Sequence, residues 1–112
     1  MTWTIQSALP NQEPNLKNMN AYLQNNLIHG SSPDAEFIFD AIYSIDLERF
    51  VLTLMQVDNE MGFIEKEKRL VLKTRAELLQ AIESYQKHPL AMLLDKREHF
   101  EPYRGEGIVM SR

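Results

Sequence analysis

The run Phe50, Val51, Leu52, Thr53, Leu54, Met55, Gln56, Val57 is apolar on both sides and carries β-branched residues. That pattern suits a central strand, covered on both faces, better than a surface strand or helix. It is bounded by two turn-rich stretches, Asp46, Leu47, Glu48, Arg49 before it and Asp58, Asn59, Glu60, Met61, Gly62 after it. A central strand needs a neighbour at each edge, and the flanking segments are read with that demand in mind.

Upstream, Phe37, Phe39, Ala41, Tyr43 and Ile45 alternate with Glu36, Asp40, Ser44 and Asp46, as in a half-buried strand. The same stretch also fits a helix, with Ser32 as cap, Pro33 in the first turn and Glu36, Asp40 and Ser44 as its wet stripe. The two-sided run that follows favours strands over 36–57. Downstream, a third strand is expected over 63–73.

Thr74, Arg75, Ala76 and Glu77 form a capping box, and Leu78, Leu79, Ile82 and Tyr85 then recur at helical spacing as far as Lys87 and His88, before Pro89. A shorter helix is expected over 90–97, with Leu90, Leu93 and Leu94 as its stripe. At the other end, Leu16, Met19, Tyr22, Leu23, Leu27 and Ile28 recur at steps of three and four, predicting an N-terminal helix that closes at His29 and Gly30. That helix is rich in Asn, a weak helix former, and depends on packing.

The expected fold is therefore α+β: an N-terminal helix, a three-stranded antiparallel meander, one long and one short helix packed on one face, and an extended C-terminal tail. No repeat or linker divides the chain, so residues 1–112 are expected to form a single domain, with 1–11 and 101–112 extended or flexible. A composition of 44% hydrophobic and 25% charged residues is that of a folded chain.

Without cysteine there is no disulfide scaffold, thiolate ligation or cysteine nucleophile, and a cytoplasmic setting is expected. Residues 1–10 lack a basic, then apolar, leader pattern, and no segment approaches the roughly 20 apolar residues of a membrane span. The net charge of −4 disfavours nucleic acid as a partner. Charge is unevenly spread: over 34–60 seven acids face Arg49 alone, whereas over 61–75 five bases outnumber Glu65 and Glu67.

Motifs for catalysis are absent or incomplete. His29, His88 and His99 each fall at an expected helix end, where imidazolium suits the terminal carbonyls. His88, Asp95, Glu98, His99 and Glu101 match no compact metal-ligand spacing and read as a solvated helix surface. The Asp58 loop has Phe63 and Arg69 where a calcium loop needs Gly and a bidentate carboxylate. Gly105 and Gly107 lack the third Gly of a dinucleotide fingerprint, which would fall at Met110, and Gly30, Ser31, Ser32 lacks the second Gly of a nucleophile elbow. An enzyme is disfavoured on these grounds.

Two groups remain as candidate binding residues. Lys66, Lys68 and Arg69, with Lys73 and Arg75 beyond, form a basic strand that could meet an acidic partner, or simply guard an edge against aggregation. Phe100, Tyr103, Ile108, Val109 and Met110 are large apolar or amphipathic groups in a segment with Pro102, Gly105 and Gly107, and such groups ask to be buried on something. Arg104 and Arg112 would supply contacts to carboxylates.

The expected function is a small non-enzymatic protein-binding or regulatory module: an adaptor, inhibitor, chaperone or accessory subunit. Its expected partner is another protein, a homodimer being compatible, with no cofactor, metal or membrane involved. The alternative is a small-molecule-binding or catalytic α+β domain acting as a dimer, with Tyr22, Tyr43, Tyr85 or His88 in a pocket between sheet and helices. A nucleic-acid-associated regulator using the basic strand stands third.

Overall fold

The computed structural model describes residues 2–24, 26–58 and 60–95. Five strands, β1 (Thr4–Ser7), β2 (Ile28–Ser31), β3 (Phe37–Ser44), β4 (Arg49–Val57) and β5 (Ile64–Leu72), form one antiparallel sheet in the order β1-β2-β3-β4-β5. A short helix α1 (Met19–Tyr22) lies in the β1–β2 connection, and α2 (Arg75–Lys87) and α3 (Pro89–Leu94) follow the sheet. The architecture is α+β, but the expected N-terminal helix and three-stranded meander are overturned: the meander has five strands, and two of them come from the region read as irregular or helical. No helix among the described residues is long and apolar enough to cross a membrane.

The N-terminal correction has a local cause. Asn15 and Asn18 turn their side chains onto the backbone, Asn15 Oδ1 accepting from the Lys17 and Asn18 amides at 2.8 and 3.1 Å and Asn18 Oδ1 from the Asn15 amide at 2.7 Å. Such local bonds compete with a helical ladder and leave only one turn, α1. Leu16, counted in the helical stripe, is 98% exposed. Leu27 and Ile28 are buried, and Ile28 enters β2 opposite Ala41. Gly30 does not close a helix. It sits in β2 opposite Phe39, whose ring lies across it so closely that a Cβ would fall 2.3 Å from Phe39 Cε2.

β3, β4 and β5 pair through nearly their whole lengths, Phe37 to Ser44 against Gln56 to Arg49, and Phe50 to Val57 against Leu72 to Ile64, with one irregularity between Gln56 and Val57. The β3–β4 turn places Glu48 at φ 54°, and the β2–β3 turn places Ala35 at φ 60°. In that turn Ser32 Oγ accepts from the Phe37 amide at 3.0 Å, and Asp34 Oδ1 accepts from Ser32 Oγ at 2.6 Å and from the Glu36 amide at 3.0 Å. These bonds to its ionised form hold the Asp34 carboxyl below the usual carboxylate range.

α2 starts where its cap says it should: Thr74 Oγ1 accepts from the Glu77 amide at 3.1 Å, and the hydroxyl donates to the Glu77 carboxylate at 3.2 Å. Pro89 then opens α3, a position where a missing N–H costs nothing. Leu78, Ala81, Ile82 and Tyr85 of α2, with Leu93 of α3, bury against Phe39, Ala41, Phe50, Leu52, Leu54, Leu70 and Leu72 of the sheet. Tyr22 and Leu27 complete this core, with Trp3 leaning on Phe39 and Tyr85 at ring distances of 6.0 and 5.7 Å.

Candidate interaction face

Because strand side chains alternate, the core takes only every second residue of each strand, and the others form a second sheet face away from α2 and α3. The register arranges that face in ranks. One rank runs Gln6, His29, Asp40, Thr53, Arg69 across all five strands. On one side of it lie Ile38, Met55 and Glu67, and on the other Ile42, Val51 and Val71. Chemically it is a polar and charged stripe between an apolar rank and a second rank that is apolar on β3 and β4 and ends in Glu67 on β5.

The core contacts of α2 and α3 are made with the opposite face. On this face exposure is graded across the apolar rank, 39% at Ile42 on β3, 6% at Val51 on β4 and 2% at Val71 on β5. The Asp40 carboxyl is held above its usual range, chiefly by burial, with His29 across the strand pair pulling the other way. Arg69 lies 3.5 Å from the Glu67 carboxylate on the same face. Beside β1 and β2, Gln6, Ser7, Ala8, Asn26 and His29 line an open depression of about 460 Å³.

The basic strand is split by its own pleat. Lys66 and Lys68 share the helix-side parity opposite Gln56 and Leu54, while Arg69 stands opposite Thr53 on the other face. Lys66 is exposed. Lys68 is only 4% exposed and its ammonium donates to the carbonyls of Met92 and Asp95 at 2.9 and 2.8 Å, closing the C-terminal end of α3. Burial pulls its pKa down, and the nearby Asp95 charge opposes that.

The four residues of the small-molecule alternative do not line one pocket. Tyr22 and Tyr85 are fully buried, the Tyr22 hydroxyl donating to the Gln12 carbonyl and the Tyr85 hydroxyl to the Met55 carbonyl at 2.8 Å. Tyr43 packs its ring on Tyr22 and Phe50, and His88 is exposed at the α2–α3 junction. Phe100, Tyr103, Arg104, Ile108, Val109 and Met110 lie outside the described residues, as do Glu98, His99 and Glu101.

Sequence reading missed Ile38, Ile42, Thr53 and the rank through Asp40. The signal was present: Ile38 and Ile42 share the parity of Asp40 and Ser44, so the supposedly wet face of this strand was never wholly polar. No protein-family model matches the chain, no curated protein matches it, and no solved structure matches it.

Proposed function

We propose that this chain is a small, non-enzymatic protein-binding module whose contact surface is the sheet face away from α2 and α3. The observation that supports it is the ranked composition of that face, with apolar Ile38, Ile42 and Met55 flanking the rank that holds Asp40 and Arg69, on the side away from the helix-packed core. An antiparallel sheet with one solvated face ordinarily keeps that face polar. Here the face combines apolar groups with opposite charges on β3 and β5, which is the composition of a protein-binding patch rather than of a catalytic cleft. The matching partner is a protein segment that presents apolar side chains to Ile38, Ile42 and Met55. Adaptor, inhibitor, chaperone and accessory-subunit roles all use such a surface.

The test is affinity capture from the native cell with wild-type chain and with Thr53→Arg, which plants a bulky charge in the middle of the face and leaves the core untouched. Proteins captured by wild type and lost with Thr53→Arg, while the variant unfolds cooperatively near the wild-type midpoint, are the expected result. An identical set of captured proteins from both chains removes this face as the binding surface.

A further inference from the structure

The β4–β5 hairpin ends in an apolar tip. Met61, Phe63 and Ile64 are 74%, 52% and 50% exposed. Exposed apolar groups met singly need no explanation, but three within four positions make a patch. The β2–β3 turn shows the ordinary composition, with Pro33, Asp34, Ala35 and Glu36 at its apex.

Local bonds hold the tip in shape. The Asp58 carbonyl accepts from the Gly62 amide at 2.7 Å, and the Asp58 amide donates to the Phe63 carbonyl at 2.9 Å. Its Oδ1 accepts from the Glu60 and Met61 amides at 2.9 and 3.2 Å. Gly62, at φ 78°, takes the left-handed conformation that brings the chain back. A loop already tied by its own bonds gives up less conformational freedom when it docks.

The register spreads the apolar groups over both sides of the hairpin. Gln56 pairs with Lys66 but Val57 with Ile64, so Glu65 is the extra residue of a bulge. Val57 belongs to the sheet face away from α2 and α3, and the bulge turns Ile64 to that face; unbroken alternation would have put it on the side of Lys66. Phe63, next along the chain and opposite Asp58, falls on the helix side. With Met61 between the two strands, the tip is apolar on both sides, which suits insertion into a pocket better than contact with a flat surface.

Charge selects the kind of pocket. Glu60 and Glu65 are exposed and Asp58 is half-buried beside them, against the single base Lys66 in the same stretch. Anionic headgroups of a lipid surface repel such a rim, and cations around a protein pocket attract it.

We propose that the β4–β5 tip is an insertion element for a partner protein: Met61, Phe63 and Ile64 enter an apolar pocket whose rim presents lysine or arginine side chains to Glu60 and Glu65. This contact goes beyond the face that carries Thr53 and does not depend on it.

The test places the photocrosslinker benzoylphenylalanine at position 63 of the full-length chain, irradiates it in the native cell and maps the crosslinked residues by mass spectrometry. The same is done in a Thr53→Arg background. The protein so identified is then purified, and its affinity is measured for wild type, Phe63→Ser, Met61→Ser and the pair Glu60→Lys and Glu65→Lys at low and moderate salt. The expected result is a crosslink to apolar residues of one protein with lysine or arginine beside them, persisting with Thr53→Arg. Affinity should fall by about tenfold or more with Phe63→Ser, as for a buried aromatic anchor, and with the Glu pair at low salt, the second loss shrinking as salt rises. Met61 and Phe63 lie outside the core, so both serine variants should unfold at the wild-type midpoint; should Phe63→Ser fail to, Met61→Ser decides in its place. No specific crosslink, a crosslink to a second copy, or an affinity indifferent to the serine variants overturns the proposal. So does retention of wild type, but not Phe63→Ser, on vesicles of phosphatidylcholine and phosphatidylserine. An affinity indifferent to the Glu pair removes the cationic rim and with it the proposed pocket. A crosslink lost with Thr53→Arg would sink the tip as a separate contact and leave the sheet face standing, whereas a persisting crosslink with capture indifferent to Thr53→Arg would do the reverse.

Discussion

The two faces of this sheet are built from the same strands and differ in how they find burial. On the helix side, Phe37, Phe39, Tyr43 and Phe50 meet Trp3, Tyr22 and Tyr85 in tilted and edge-on ring contacts between 5.1 and 6.4 Å, with leucines filling the remainder. On the other side the residues are smaller and β-branched, Ile38, Ile42, Val51 and Val71, and a charged rank divides them. Large rings and leucines need a second layer of matching shape, which α2 and α3 supply. β-Branched residues suit a pleated surface through their restricted rotamers and their cross-strand pairing. Amphipathic alternation therefore does not separate inside from outside in this protein. It separates a face covered by α2 and α3 from a face on the other side of the sheet.

The largest expected difference between the faces lies in core truncation. Leu54→Ala should cost on the order of 2–5 kcal/mol, because the helix layer cannot collapse into the space left. Val51→Ala, one face over, should cost roughly 1–2 kcal/mol, close to its transfer term alone. Urea unfolding midpoints at constant slope measure both, and equal losses would show that the second face is packed as tightly as the first.

Next comes the close approach in β2. Gly30→Ala drives a methyl group into the Phe39 ring and should destabilise by about 1–3 kcal/mol, since that ring is wedged between Trp3 and Tyr85 and has little room to give. The neighbouring Ser31→Ala, on the opposite parity, should change stability by less than about 0.5 kcal/mol. A neutral Gly30→Ala would mean that the helix-side layer is loose at its β2 corner.

Thr74→Ala tests how firmly the covering layer is held. Loss of the hydroxyl acceptor at the start of α2 should cost about 1 kcal/mol. No shift in the thermal midpoint would show that packing alone sets the start of the helix.

The smallest effect concerns Asp40. Its carboxyl holds its proton to higher pH in the folded state than at its ordinary 3.8, so the stability it contributes is full below 3.8 and is lost as pH rises through the folded value. Asp40→Asn should remove that decline and leave stability flatter across about pH 3 to 6 in chemical unfolding. A wild-type profile reproduced by the variant would assign the decline to other carboxylates.

How much of this was legible in the sequence depends on how local the deciding forces are. The two-sided apolar run and the capping box state their structure through neighbouring residues, and the chain follows them at β4 and Thr74. The segment 15–30 misled because its spacing of Leu16, Met19, Tyr22, Leu23, Leu27 and Ile28 is helical, whereas the asparagine side chains and the pairing of Ile28 with Ala41 decide otherwise. The first of these is a contest between side chain and backbone, and the second is a long-range pairing that no window of sequence contains. β1 was invisible for a similar reason: all four of its residues are exposed, so it carries no burial pattern and exists as the partner of β2. Of the candidate face, Arg69 could be named from charge alone, but that Lys68 turns inward to the end of α3 follows from the pleat and from where a helix happens to stop.

The clasp between the N-terminal arm and α2 carries a meaning for how the molecule assembles. The Glu13 carboxylate accepts the Arg75 amide at 2.8 and 3.1 Å, and Arg75 Nε donates to the Pro10 carbonyl at 2.6 Å. The Glu13 contact joins positions 62 apart, whereas the hairpins of β3, β4 and β5 close over short turns. Loop-closure entropy favours the short hairpins first, and the clasp has no rigid target until α2 has formed on them. β1, with its four exposed residues and a partner strand reached only after a long excursion, is then the last strand to join and the first to leave. Along this stretch the order of synthesis and the order of folding run in opposite directions: Glu13 waits for a helix whose Arg75 lies 62 positions later.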